Sequence, residues 1–555
     1  MAERVKVYFL GGLGEIGRNC AVVEQAGRLV LIDCGVMFPN PEMPGVDLVL
    51  PDFGWLHARA GDIDGVVLTH GHEDHIGALA YLLRETQGEV PIYSAPFTLG
   101  LVRNKLEEAR AASSAKLVAV ADGERRAVGP FEVEFIPVTH SVPFGFAVAF
   151  HTAQGVVLHS GDFKLDLNPV DGRRTDLARI GQISSTEGVR LLLADSTNAE
   201  EPGYTGSESS VGETLRVIFT KYRKSRVIVA CFASHIHRIQ QVADAAVASG
   251  RHIALLGRSM LKNVAVAREL GLLHIPDGAF VDIEKVDDLG PERVCVISTG
   301  SQGEPMSALS LMSTGESRWL SVGEDDVVVL SSHAIPGNEW AVAKVMDGLA
   351  RKGAEVVHAG TAHVHESGHA RQGELSTLLS VARPQSFVPV HGEYRHLLSH
   401  SRIAISMGVP ASEVLVCEDG DVIALTDEGI DFDGEVSASY VYVDGLVGDV
   451  ETGVLRDRRM LAEEGVLVTV VTIDRKTGEM VGGPEMVSRG FLSEPGHEDL
   501  AEEAGAAVVK AVEIAVGEGK RDSDSIRRVV RRAVGRLVSE RTRRRPMIVV
   551  VVVEA

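Results

Sequence analysis

The stretch Thr69-His70-Gly71-His72-Glu73-Asp74-His75 packs three imidazoles and two carboxylates into one short turn, straight after the apolar run Asp64-Gly65-Val66-Val67-Leu68. Neutral imidazole and carboxylate are the ligands that a borderline cation such as zinc takes. On a continuing strand His70, His72 and Asp74 would share one face and His75 would point away, because side chains alternate with period two. A helix would spread them as well. Gly71 lets the backbone turn tightly, and Ile76-Gly77-Ala78-Leu79-Ala80-Tyr81-Leu82-Leu83 reads as a helix start, so the cluster sits on a strand-to-helix turn where four ligands can converge. One ion would not take all four from so short a stretch and stay open to substrate. Two ions are therefore expected, with His70 and His72 on one and Asp74 and His75 on the other. The competing reading is a polar loop with chance histidines.

The elements that would position such a centre show a repeated pattern. Short apolar runs end in a ligand-type residue: 29–32 in Asp33, 66–68 near His70, 135–138 near His140, 156–158 near Asp162, 191–194 in Asp195, and 386–390 in His391. Buried strands read as continuous apolar runs, and sites in layered α/β folds lie at strand ends, so these endings predict one shared edge. The glycine-rich Gly12-Leu13-Gly14-Glu15-Ile16-Gly17 fits a dinucleotide fingerprint, but no helix follows. Asn19 to Val23, the Ala26-Gly27 turn and Arg28 to Asp33 read as a hairpin, which excludes that assignment.

Between Ser209 and about Gly348 the pattern becomes regular helix–strand alternation, with strands at 226–230, 252–256, 293–297 and 326–330, and Ser210 with Glu213 as a capping box for the first helix. Ligand-type residues resume at His365, His369 and His391, so this unit is expected to be inserted into the first domain. From about Asp444 a small α/β segment follows, with a strand at 466–471, two helices and a terminal strand at 548–552. Its second helix carries Ile526, Val529, Val530, Val534, Leu537 and Val538 on one stripe, while Arg527, Arg528, Arg531, Arg532 and Arg536 lie elsewhere. That arginine-rich face reads either as an RNA-facing surface or as a solvated face that pairs with acidic neighbours.

The 555 residues suit two to four domains. With 45% hydrophobic and 24% charged residues and no apolar run near the length of a bilayer span, the composition is that of a soluble globular chain and not a membrane protein. The opening residues lack a signal-peptide pattern, and the five scattered cysteines form no CxxC pair, so a cytoplasmic location is expected. A net charge of -22 argues against phosphate binding by global charge. Two divalent ions held by neutral imidazoles and two carboxylates would supply the positive field locally.

With these residues in view, the chain resembles the metallo-β-lactamase superfamily, within it the β-CASP nucleases, and in particular the ribonuclease J family. The HxHxDH motif with His140, Asp162 and His391 carries the resemblance. So do Gly11-Gly12-Leu13-Gly14-Glu15-Ile16-Gly17-Arg18-Asn19, the inserted unit, residues 331–339, Ser367-Gly368-His369-Ala370, Pro389-Val390-His391-Gly392-Glu393, Val443-Asp444-Gly445 and residues 454–458.

The resemblance implies an αββα sandwich (residues 1–209 and 349–443), an inserted β-CASP α/β domain (210–348) and a small C-terminal α/β domain (444–555). It places His70, His72, His140 and Asp162 on one zinc, and Asp74, His75, Asp162 and His391 on a second, with manganese or magnesium as alternatives for turnover. Asp33 would steady the metal loop. Asp195 would orient His369 for proton delivery, Asp74 or Asp162 would take the proton of the attacking water, and His391 in the third β-CASP motif favours RNA over DNA. Ser234 and His237 would hold a terminal 5′-monophosphate, and His365, Ser367, Gly368 and His369 would hold RNA phosphate. The implied activity is 5′-to-3′ exonuclease and endonuclease cleavage of single-stranded RNA, leaving 5′-phosphate and 3′-hydroxyl ends, in RNA decay and ribosomal or messenger RNA processing by a homodimer or homotetramer. The rivals are a metallo-hydrolase of a small ester, lactone or thioester, since the metal motif serves many chemistries, and an RNA-binding scaffold that has lost catalysis.

Overall fold

The computed structural model describes residues 4–555 except 87, 336, 446–447 and 492–497. Pro336 of the 331–339 motif and the first three residues of the opening lie outside the described residues. The chain forms two compact units, Met1–Met37 with Leu50–Tyr440, and Phe38–Val49 with Val441–Ala555.

The first unit contains two large mixed sheets. One has eight strands, in the order Ile430–Glu435, Asp421–Leu425, Lys6–Gly11, Cys20–Gln25, Arg28–Ile32, Ile63–Val67, Val90–Ser94 and Ala115–Ala119. The other has six, in the order Ser386–Val390, Val189–Asp195, Gly155–His159, Gly145–Thr152, Phe131–Val138 and Arg125–Val128. Val7, Phe9, Val23, Val30, Ile32 and Val67 of the first sheet share one apolar core with Phe135, Phe146, Val148, Leu191, Leu193 and Val388 of the second. The opposite face of the six-stranded sheet buries Ile136, Leu158, Leu192 and Phe387 against Ile180, Ile183, Leu375, Leu378 and Ala404 of the helices Leu177–Thr186, Gln372–Ala382 and Tyr394–Ser406. Burial on both faces is the reason these strands read as unbroken apolar runs. The glycine-rich opening leads into the antiparallel pair Cys20–Gln25 and Arg28–Ile32, with no helix after it.

A third, five-stranded and fully parallel sheet lies within the same unit, in the order His252–Leu256, Val294–Ser298, Arg226–Ala230, Asp326–Leu330 and Glu355–Val357. Its last strand runs past the expected limit at 348; it is three residues long and sits on the sheet edge, too short for its own periodic signal. The expected capping box also differs. The helix Ser209–Lys221 has no side-chain cap, and Ser210 Oγ instead donates to Ser207 O at 2.6 Å.

In the second unit the strands Met480–Arg489, Val466–Ile473 and Met547–Glu554 form one sheet. The helices Glu498–Gly517 and Ser523–Thr542 cover it, with Ile526, Val530, Val534 and Val538 buried as their 3.6-residue spacing requires. The strand Met480–Arg489 was not expected from the sequence, because Gly482-Gly483-Pro484 interrupts its pattern. No helix among the described residues is long and apolar enough to cross a membrane.

Candidate metal centre and active site

The strands Arg28–Ile32 and Ile63–Val67 run parallel side by side and deliver Asp33 and Thr69 to the same point. Asp33, at φ 61°, accepts from Thr69 N at 2.7 Å and from Thr69 Oγ1 at 2.8 Å, and its Oδ2 lies 2.8 Å from His75 Nδ1. One carboxylate thus ties the end of the strand to the start of the short helix Glu73–Ile76, and the histidine-rich turn is folded around it. The glycine-rich opening braces the other side. Asn19 N donates to Asp74 O at 3.0 Å, and His391 N donates to Gly12 O at 3.1 Å.

Two groups of donors converge here: His70, His72, His140 and Asp162, and Asp74, His75, Asp162 and His391, with ligand atoms in each group within 4.8 Å of one another. The rings are oriented by what holds their outer nitrogens. Thr69 Oγ1 already donates to Asp33, so it accepts from His70 Nδ1 at 3.0 Å; His140 Nδ1 donates to Gly368 O at 2.8 Å; His75 Nδ1 faces Asp33; His391 Nδ1 lies 2.7 Å from Thr197 Oγ1. The inner nitrogens then present lone pairs to each other. His70 Nε2 and His140 Nε2 lie 3.0 and 3.2 Å from His72 Nδ1. Asp162 Oδ2 sits between the groups, 3.6 and 3.8 Å from His70 and His140, and 3.2 and 3.5 Å from His75 and His391. Lone pairs as close as those of His70, His72 and His140 repel unless a cation lies among them, and the N/O donor set suits zinc, so the residues fit metal binding, with Asp162 common to both donor groups.

Charge follows the same division. Burial holds His70 and His140 well below the usual histidine range and takes His72 to about 4, which keeps all three imidazoles neutral, the form that binds metal. Burial opposes protonation of His75 and His391 too, but Asp162 and its neighbouring carboxylates outweigh it, raising His75 well above its usual value and His391 to about 9. Asp162 is held well below the usual carboxylate range by His391, His75 and His70 against the cost of its burial.

Beside the metal donors lies a carboxylate–histidine pair. His369 Nδ1 lies 2.8 Å from Asp195 Oδ2, and the His369 ring centroid is 5.0 Å from that of His140 and 5.4 Å from that of His391. Asp162, Asp195, His369 and His391 also cluster within ligand distance. Asp195 also accepts from Thr197 N and Oγ1 on its other oxygen, at 3.0 and 2.8 Å, so both of its oxygens are engaged within the protein. Burial lowers the affinity of His369 for a proton, and Asp195 more than restores it.

The expected phosphate-binding residues are placed as follows. Ser367 Oγ accepts from Asn198 Nδ2 at 2.9 Å and from His369 N at 3.2 Å. Gly368 has no room for a side chain, since a Cβ there would come 2.6 Å from His140 Cε1. His365 is half-buried, with a buried Nδ1 that lacks a hydrogen-bond partner, and stacks on His333 with centroids 6.2 Å apart. Ser234 lies just before the helix Ile236–Ala248, and His237 Nε2 is 3.5 Å from Asp171. Three contributors escaped the sequence reading: Thr69, Asn19 and Thr197. Thr197 carried a local signal, because a hydroxyl two residues after Asp195 can close a turn onto that carboxylate. Its contact with His391, 194 positions away, carried none.

Matches to known proteins agree with this arrangement. Residues 13–203 match the model "Metallo-beta-lactamase superfamily", 224–349 "Ribonuclease J, beta-CASP domain", 355–412 "Zn-dependent metallo-hydrolase RNA specificity domain", and 453–555 "Ribonuclease J C-terminal domain". The chain is 44% identical over 551 residues to ribonuclease J of Mycolicibacterium smegmatis, covering 99% of this chain and 97% of that one. It is 37% identical over 557 residues to ribonuclease J2 of Bacillus subtilis, covering 100% and 99% of the two chains. Among solved structures, a protein of unknown function from Enterococcus faecalis superposes with a TM-score of 0.54 at 16% identity, over 76% of this chain and 100% of that one, a likeness of fold alone. Two donor sets sharing one aspartate, a β-CASP unit between the halves of that site, and identity along the full length lead to one assignment: the chain belongs to the ribonuclease J family.

Proposed function

We propose that the chain is a dinuclear zinc ribonuclease that cleaves single-stranded RNA from a 5′-monophosphate end and internally, releasing 5′-phosphate and 3′-hydroxyl products, in a cytoplasmic role in RNA decay and processing. The observation that supports it most is the opposed set of inner lone pairs around Asp162 with the His369–Asp195 pair beside it, an arrangement that serves hydrolysis and that a binding scaffold has no use for. His70, His72, His140 and Asp162 would hold one ion, and Asp74, His75, Asp162 and His391 the other. Ions bound there supply Lewis acidity toward a water and a phosphoryl oxygen; manganese or magnesium could take the same role. Asp74 is the most solvent-exposed of the carboxylates, at 25%, and receives the proton of the attacking water. His369, whose hold on a proton Asp195 strengthens, donates from Nε2 to the departing 3′ oxygen. Ser367, Gly368 and His365 line the phosphate path, and Ser234 and His237 receive the 5′-monophosphate. A homodimer or homotetramer is part of the same reading. It draws support from the outward valines Val487, Val549, Val551 and Val553 of the second unit's sheet.

The test is digestion of an end-labelled RNA carrying a 5′-monophosphate or a 5′-triphosphate, by the wild type and by Asp74→Ala, with zinc or manganese added. Mononucleotides should appear faster from the monophosphate and be absent with the variant. Retained RNA binding with no cleavage by either protein would replace this reading with the scaffold.

A further inference from the structure

The inserted β-CASP unit is joined to the metal-binding sheets by two crossings of the chain, one through Thr205 to Glu208 and one through Val364 to His369. Both bear on the active site. Thr205 Oγ1 donates to His369 O at 2.7 Å, and Gly368 O accepts from His140. The outgoing crossing is anchored to the metal side, where Lys164 Nζ donates to Gly206 O at 3.0 Å and Glu208 N donates to Asp166 Oδ2 at 3.0 Å.

A single guanidinium spans both crossings. Arg238, on the helix Ile236–Ala248 of the inserted unit, is fully buried. Its Nε and Nη2 donate to the two oxygens of Glu208 at 2.6 and 2.7 Å, and its Nη1 to Val364 O at 2.9 Å and to Ser331 O and Oγ, each at 2.7 Å. Ser331 Oγ itself donates to Val364 O at 2.7 Å. A planar fork is the group that can hold a carboxylate and a carbonyl at a fixed angle, and lysine, a point charge on a flexible stem, cannot. Ser234 and His237 lie on either side of the start of the same helix, and His235 Nδ1 accepts from Arg238 N at 3.3 Å.

We infer that Arg238 is a positioning residue that fixes the distance between the loop of Ser234 and His237 and the metal-side loop of residues 364–369, and so sets where a 5′ end sits relative to the reacting phosphate. The functional half of this inference rests on the proposed 5′-phosphate pocket; the geometric half does not. A clasp that reaches both crossings at once transmits a shift of either to His369 and His140, whereas an ordinary buried arginine would stabilise the inserted unit alone.

The test uses the full chain with Arg238→Lys and the milder Glu208→Gln, which leaves the bonds to Ser331 and Val364 in place. Amide hydrogen exchange is followed at residues 205–208 and 364–369, and RNA cleavage is compared between 5′-monophosphate and 5′-hydroxyl ends, with bis(p-nitrophenyl) phosphate hydrolysis as the measure of the metal centre by itself. Arg238→Lys should speed exchange at both crossings and lower the end preference about 10–100-fold, the scale on which small misplacements act, with a much smaller change on the nitrophenyl ester. Glu208→Gln should speed exchange at 205–208 only. Unchanged exchange at both crossings in Arg238→Lys, or equal losses on RNA and on the small ester, would overturn the inference. A wild type that does not distinguish 5′ ends refutes the pocket and not the clasp, which the exchange measurement decides by itself.

Discussion

Replacing Thr197 by valine removes one hydroxyl and almost no volume. That hydroxyl donates to Asp195 Oδ1 at 2.8 Å and faces His391 Nδ1 at 2.7 Å, so it joins the carboxylate that orients His369 to an imidazole of the second donor set. With its hydrogen committed to Asp195, it accepts from His391 Nδ1, and Nε2 is left facing Asp74 and Asp162. In the variant the nearest acceptor left for Nδ1–H is Asp195 Oδ1, 3.6 Å away and beyond hydrogen-bond distance, so the ring is held less firmly. A hydrogen bond involving a charged group contributes about 1.5–3 kcal/mol. Loss of a group that orients a metal ligand costs about 10–100-fold in metal affinity, or about 1.4–2.7 kcal/mol. The two routes agree in size. Competition of the protein with a chromophoric chelator for zinc should show one of two ions bound about 10–100-fold more weakly in Thr197→Val, the other unaffected, and recovery in Thr197→Ser. Unchanged affinity for both ions would refute the coupling of Thr197 to the second donor set.

Three other perturbations have defined outcomes. Gly368→Ala would place a Cβ 2.6 Å from His140 Cε1, so RNA hydrolysis should fall by about 100-fold with the circular dichroism spectrum retained. Chelation with EDTA should abolish cleavage and lower the Tm, because ions that bind only the folded state stabilise it, and zinc should restore both. Burial raises the Glu208 carboxyl, but Arg238 and His235 together hold it well below its ordinary value of 4.5. A depressed carboxyl contributes stability that is present above its unfolded pKa and lost as pH falls toward the folded value. A plot of Tm against pH should therefore drop below about pH 4.5, and Glu208→Gln should flatten that drop.

How far the site was legible follows from the range over which each signal acts. The histidine-rich turn is local: ligand types, a turning glycine and a following helix lie within a few residues, so His70, His72, Asp74 and His75 could be grouped from spacing alone. The apolar runs ending in Asp33, His140, Asp162, Asp195 and His391 were visible for the same reason, since a strand buried on both faces has no alternation to hide it. The strand Glu355–Val357 leaves no mark in the sequence because three residues on an edge carry no period, and the strand Met480–Arg489 leaves little because glycines and a proline interrupt it.

By itself, then, the sequence determined the donor types, the strand ends on which they sit, and the hydrophobic stripes that pack the helices. Only the tertiary structure decided which nitrogen of each histidine faces inward. That choice is made by Thr69, Gly368, Asp33 and Thr197, two of which reach His140 and His391 across 228 and 194 residues. It also decided that Arg238 meets Glu208, Ser331 and Val364 at one point. Hydrogen bonds between distant segments leave no periodic trace in the chain, because their partners are brought together by sheet pairing and core packing and not by spacing along the backbone.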